Sequence, residues 1–75
     1  MKIDTYGIIS DIIDKEIDIL LPLKVGELRS LLESNFPKLS QFNYSLVIDN
    51  EIISDEMKLI EHSNSIAIMP PFSGG

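Results

Sequence analysis

The chain contains no cysteine, and this absence constrains its fold more than any other feature of the sequence. A domain of 75 residues buries only about 60% of the surface that its unfolded chain exposes, so its core is thin. Disulfide bonds, thiolate metal sites and cysteine nucleophiles are all excluded. We therefore expect a single small domain that packing alone holds together, with little room for an enclosed active site and no independent catalysis.

The charge balance limits the choice of partners. Twelve acidic residues stand against 6 basic ones, which gives a formal net charge of -6. Such a field repels phosphate backbones and anionic lipids, so we expect no nucleic acid and no membrane as a partner. It attracts a basic protein, although solubility alone also explains acidity. No segment approaches the roughly 20 apolar residues of a membrane span, and the first residues lack a signal-peptide layout, which predicts a cytoplasmic location.

The first 22 residues predict a hairpin of two strands. Residues 2–6 alternate well enough for a strand, Gly7 breaks the pattern, and the isoleucines that follow have the spacing of a short helical turn. Over residues 17–21 the apolar side chains recur at every second position, and Pro22 ends the run because it lacks a backbone donor. We expect these two runs to pair with each other.

One segment predicts a long helix. Apolar residues recur at helical spacing from Val25 to Leu32, and polar residues occupy the opposite side. Pro37 disfavours helical geometry in the residue before it, so the helix should end near Asn35. Lys24, which precedes the helix, is not a favourable N-cap residue.

The second half of the chain predicts several strands. After a loop over residues 38–43, β-branched and aromatic residues indicate strands at 44–48, 52–53 and 65–69, with 57–60 crossing back over the surface. Asp49 and Asn50 supply turn chemistry. A helix on one face of a mixed sheet is an α+β arrangement, and the ubiquitin-like β-grasp is the simplest candidate. We expect this domain over residues 1–69 and an extended C-terminal tail over residues 70–75.

The tail carries the strongest functional signal. Residues 70–75 are Pro-Pro-Phe-Ser-Gly-Gly. A proline pair followed after two residues by a terminal glycine pair arises by chance in on the order of one chain in 100,000. Glycines let the backbone pass through a channel too narrow for side chains, and prolines keep it extended over roughly 20 Å. We therefore expect the carboxyl group of Gly75 to enter another protein's active site. The alternative of a proline-ended strand with a frayed end explains each pair but not their joint position.

This ending resembles that of the β-grasp sulfur carriers, and most closely the small subunits of molybdopterin synthase, which end in Pro-Pro-hydrophobic-Ser/Thr-Gly-Gly. Further matches are Val25-x-x-Leu28, Asp49-Asn50-Glu51 and the apolar run that leads into Pro70. The resemblance implies that a ubiquitin-activating-type enzyme uses ATP to adenylate Gly75, which then becomes a thiocarboxylate, with Gly74 part of the same site. A large synthase subunit would accept the tail for molybdenum cofactor synthesis. The resemblance implies no cofactor bound to the chain itself.

The resemblance also implies a partner-binding surface beside the tail. Its positions are Tyr6, Ile53, Met69, Pro70, Pro71, Phe72 and Ser73. Alternation gives partial support, because Ile66 and Ile68 turned to the core would leave Met69 facing outward. Ordinary core filling is the alternative for Tyr6 and Ile53. His62 has no partner residue at useful spacing, so we interpret it as a solvated turn residue and not as a metal ligand.

Three other functions stay open at this point. Carriers for thiamin thiazole synthesis also end in Gly-Gly, but usually without paired prolines, so Pro70 and Pro71 favour the molybdopterin carriers. A ubiquitin-like protein modifier would join Gly75 to lysines of target proteins. A plain binding module would need no activation of the terminus at all.

Overall fold

The computed structural model describes residues 3–62 and 65–71. The first half of the chain contains β1 (Ile3–Thr5), α1 (Ile8–Ile12), β2 (Leu23–Lys24), α2 (Val25–Asn35) and a 3₁₀ helix (Pro37–Gln41). The second half contains β3 (Ser45–Ile48), β4 (Glu51–Ile53), β5 (Leu59–Ile60) and β6 (Ile66–Met69). Four strands form a mixed sheet in the order β1-β6-β3-β4, and β2 pairs with β5 in a second sheet. Within the mixed sheet β1 and β6 are parallel and the other pairs are antiparallel.

The hydrophobic core lies between helix α2 and one face of the mixed sheet. Alternate residues of β3 and β6 enter it, and Leu46, Ile66 and Ile68 are fully buried there together with Leu28 and Leu32 of α2. Each fully buried side chain of this size contributes about 1.5 to 3 kcal/mol through the hydrophobic effect. This arrangement is an α+β fold of the ubiquitin-like β-grasp type, so the predicted fold class is confirmed.

Helix α2 has the predicted bounds, and its first turn is satisfied in a way that the sequence analysis missed. The Lys24 backbone N–H donates a hydrogen bond to Glu27 Oε1 at 2.7 Å, so the carboxylate caps the turn from the third helical position. The Val25 and Gly26 N–H groups donate to the carbonyls of Lys58 and Glu56, each at 2.9 Å. The helix start is thus held by the segment before β5. After the helix, the 3₁₀ helix Pro37–Gln41 occupies most of the expected loop at 38–43.

The predicted N-terminal hairpin is wrong. Residues 17–21 form no strand, and β1 pairs with β6. The alternation over 17–21 nevertheless appears in the burial, because Ile19 is buried while Asp18 and Leu20 are exposed. Alternation therefore reports which side chains are buried, whereas a strand ladder also needs a backbone partner at hydrogen-bonding distance.

The predicted turn at Asp49 and Asn50 is confirmed. Both residues have positive φ, 50° and 68°, which is typical of the two-residue type I′ turn of a β-hairpin. The turn pairs Ile48 with Glu51 and so fixes the register between β3 and β4. Asp49 also bonds across to Ser65, since its N–H donates to the Ser65 carbonyl and the Ser65 N–H donates to Asp49 Oδ1, both at 3.0 Å. These bonds attach the turn to the start of β6.

Candidate functional site

The last strand, β6, delivers the chain to the tail from the interior of the mixed sheet. It lies between β1 on one side and β3 on the other, and Met69 at its end is paired with Ser45. Pro70 is half-buried and Pro71 is exposed. Because proline has no N–H, the ladder stops here and the chain leaves the sheet. Two neighbouring strands therefore fix the point from which the tail begins.

The side of the mixed sheet that faces away from α2 carries apolar residues beside this exit. We call it the outer face and define it by Ser45, Val47, Ile52, Ala67 and Met69. The register places Ala67, Val47 and Ile52 in one row across three neighbouring strands, with Asp4 at the β1 end of the row. Ile52 is 70% exposed, which is unusual for an isoleucine in a strand. Together with the partly exposed Val47 and Met69, it forms a group of apolar side chains, and such groups can mark an interaction site.

The predicted partner-binding residues Tyr6, Ile53 and Met69 do not all lie on the same face of the sheet. Met69 faces outward at the tail exit, as the alternation predicts, and Tyr6 follows β1 with 49% of its surface exposed. Ile53 does not share the outer face with Met69. It lies opposite the buried Leu46 and packs against the core, while its neighbour Ile52 takes the outward position. A role of Ile53 in partner binding stays a prediction.

The outward position of Ile52 could have been found from the sequence. Residues 46 and 48 are inward by alternation, and a two-residue turn at 49–50 pairs Ile48 with Glu51. Counting one residue further places Ile52 opposite Val47, on the outward side. Phe72, Ser73, Gly74 and Gly75, which complete the predicted site, lie outside the described residues.

A polar cluster on the opposite side of the sheet joins α2 to the start of β3. The Arg29 Nε lies 2.7 Å from Glu56 Oε1, and the Arg29 guanidinium lies over the Tyr44 ring, 5.0 Å from its centroid. The Tyr44 hydroxyl donates to Glu33 Oε2 at 2.5 Å. Burial and the hydrogen bond to Glu33 raise the pKa of Tyr44 to about 12, against the opposing effect of Arg29. Tyr44 therefore stays protonated near neutral pH, where it is a poor acid or base. We interpret the cluster as a set of structural contacts between α2 and the segment before β3.

The described residues provide little else for chemistry. A groove of 580 Å³ lies between α1 and the 3₁₀ helix, and its charged residues are Asp11, Asp14, Lys15 and Lys38. Within residues 3–62 and 65–71, no group of three His, Asp or Glu side chains could hold a metal ion. His62 is exposed. In the same part of the chain, no helix is long and apolar enough to cross a membrane. The outer face and the adjacent tail exit are therefore the best candidate site.

The chain matches a known protein family. The model of the ThiS family matches residues 6–75, which include every described helix and strand except β1 and extend to Gly75. No protein with curated annotation matches the chain.

Proposed function

The chain belongs to the ThiS family of sulfur-carrier domains, and from this premise we propose that it carries sulfur as a thiocarboxylate on Gly75 for molybdenum cofactor synthesis. The observation that supports the proposal is the Pro-Pro-Phe-Ser-Gly-Gly ending directly after β6, a strand held between two neighbours. In this proposal the globular part is recognised by the partner proteins, and the tail carries the reactive group.

The chemistry follows from the weak electrophilicity of a carboxylate. A carboxylate oxygen of Gly75 attacks the α-phosphate of ATP in the active site of an adenylating enzyme, and pyrophosphate leaves. A hydrosulfide equivalent then attacks the acyl carbon of the adenylate, AMP leaves with the bonding electrons, and the thiocarboxylate is formed. The chain has no cysteine that could compete for the activated acyl group.

The outer face is proposed as the docking surface for the adenylating enzyme and for the large subunit of the synthase. Met69 supplies a half-exposed apolar contact at the end of β6, and Ile52, two strands away on β4, supplies an exposed one. Methionine adapts well to different partners. The net charge of -6 favours basic partner surfaces by raising the association rate. While the domain docks, six extended residues reach roughly 20 Å, which is enough to enter a partner's pocket.

The paired prolines support the molybdopterin pathway over thiazole synthesis. The test is to load the chain with sulfur in the presence of ATP, sulfide and the adenylating enzyme of its host, and to offer it separately to a molybdopterin synthase large subunit with its pterin precursor and to a thiazole synthase. We expect dithiolene formation with the first. Sulfur transfer only to the thiazole synthase would contradict the pathway, and attachment of Gly75 to lysines of other proteins would indicate a modifier.

A further inference from the structure

Gly7 has a backbone conformation that few other residues tolerate. Its φ is 58° and its ψ is -135°, a combination that a Cβ atom makes unfavourable. The first turn of α1 holds it there, because the Ile9 N–H donates to the Tyr6 carbonyl at 3.2 Å and the Ser10 N–H donates to the Gly7 carbonyl at 3.1 Å. The position therefore requires glycine for its backbone alone.

Gly7 also lies directly against the first residue of the tail. A Cβ atom added to Gly7 would come within 3.3 Å of Pro70 Cγ and 3.9 Å of Pro70 Cβ. The parallel pairing of β1 with β6 explains this contact. Thr5 lies beside Ile68, and the backbone runs in the same direction past the end of each strand. Pro70 is half-buried as a result. The missing side chain of Gly7 thus leaves the space into which the proline ring fits.

We propose that Gly7 is a positioning residue that sets the direction in which the tail leaves the sheet. The inference rests on the proposed function, because direction matters only if the terminus must reach an active site. From residue 70 to residue 75 an extended chain covers about 16 Å, so a tilt of roughly 5° at Pro70 moves the carboxyl group by more than 1 Å. A misplacement of about 1 Å can slow a reaction roughly 100-fold. The backbone freedom of Gly74 and Gly75 offsets part of the error.

The test compares Gly7→Ala with the native chain in adenylation by the enzyme of its host, with ATP and pyrophosphate release as the readout. We expect kcat to fall about tenfold, since part of the roughly 100-fold limit is offset. The KM for the carrier should stay within about twofold, because the outer face is unchanged. A merely structural role would not produce this division between kcat and KM. An unchanged kcat in a folded Gly7→Ala protein would overturn the inference.

Two controls separate tail direction from general destabilisation. Gly26→Ala introduces a comparable crowding, since its Cβ would lie 3.2 Å from the Glu56 carbonyl oxygen, but it does so at the start of α2. We expect it to leave kcat unchanged after correction for the folded fraction from melting curves. A D-alanine at position 7, introduced by chemical synthesis, accepts the positive φ and places its methyl group at the other hydrogen position of Cα. It should fold and retain kcat within about twofold. An equal loss of kcat with D-alanine or with Gly26→Ala would overturn the inference.

The contact itself can be measured without any enzyme. In the native chain, NMR should show a nuclear Overhauser effect between the Gly7 α-protons and the Pro70 γ-protons, and the D-alanine protein should keep it. Its absence from the native chain would overturn the inference, whatever the activation assay shows. Failure of the native chain to be adenylated, with this contact present, would contradict the proposed function and leave the contact between Gly7 and Pro70 established.

Discussion

The two sides of strand β6 differ in how deeply their side chains are buried. Ile66 and Ile68 are completely buried against the helix side, whereas Ala67 and Met69, which alternate with them, remain partly exposed on the outer face. A strand allows this division because successive side chains point to opposite sides of a sheet. The comparison teaches that one four-residue segment can stabilise the domain with one side and leave the other side for the proposed docking surface. Substitutions on its two sides should therefore have separable effects.

The largest expected effect tests the buried side. Ile68→Ala should lower the free energy of unfolding by about 2 to 5 kcal/mol, because it removes a fully buried side chain and leaves a cavity. Urea denaturation of the domain measures this change. The matched control is Met69→Ala, which should cost less than about 1 kcal/mol, since its side chain lies on the outer face. Equal losses for the two variants would contradict the division between the sides of β6.

A second pair of variants tests the same division on β4, where adjacent isoleucines point in opposite directions. Ile52→Ser should weaken binding of the adenylating enzyme by about 10- to 100-fold with little change in stability, as expected for an exposed contact near an interface centre. Ile53→Ser should lower stability by about 1 to 2 kcal/mol and bind normally once folded. Isothermal titration calorimetry and urea denaturation measure the two quantities. The opposite result would place Ile53, and not Ile52, on the docking surface, as the sequence predicts.

The sequence predicts much of this architecture where one local signal is sufficient. The apolar spacing from Val25 to Leu32 and the proline at position 37 together define helix α2. The Asp49-Asn50 pair defines the turn between β3 and β4. The strand β6 follows from alternation and from the prolines after it. In each case the determining residues lie within the element or next to it, so no knowledge of distant partners is needed.

The features that the sequence analysis missed depend on distant partners. Residues 17–21 alternate like a strand, but whether they form a ladder depends on which backbone lies beside them. The contact between Gly7 and Pro70 joins residues far apart in the chain, and it becomes visible only when β1 and β6 are known to be parallel.

A third prediction concerns Tyr44 and the helix side. Its pKa of about 12 in the folded protein lies above the usual 10.0, so folding favours the protonated hydroxyl. Its contribution to the free energy of unfolding is fully present below pH 10 and is lost as the pH rises towards 12, by at most about 3 kcal/mol. Tyr44→Phe should remove this part of the pH dependence. Urea denaturation of both proteins between pH 9 and pH 12, at about one-unit steps, measures it. Parallel curves would contradict the assignment to Tyr44.

The smallest expected effect concerns the helix cap. Glu27→Ala should lower the free energy of unfolding by about 1 kcal/mol, because the Lys24 N–H loses its acceptor at the start of α2. Glu27→Gln keeps a side-chain acceptor and should cost less. Since the cap lies on the helix side, activation of the terminus should be unaffected in both variants. Thermal melts and the adenylation assay together check this, and a loss of activation in a folded variant would contradict the division of roles.

The central claim is that the carboxyl group at Gly75 is the working part of the molecule. The direct measurement is intact-mass analysis after incubation with ATP, sulfide and the adenylating enzyme of the host, for the native chain and for a chain extended by one residue. An added residue moves the carboxylate by about 3.3 Å, far beyond the tolerance of roughly 1 Å for in-line attack. We predict that the native chain exchanges one oxygen for sulfur and that the extended chain does not, while both melt at the same temperature. Equally fast conversion of the extended chain, without trimming back to Gly75, would contradict the account.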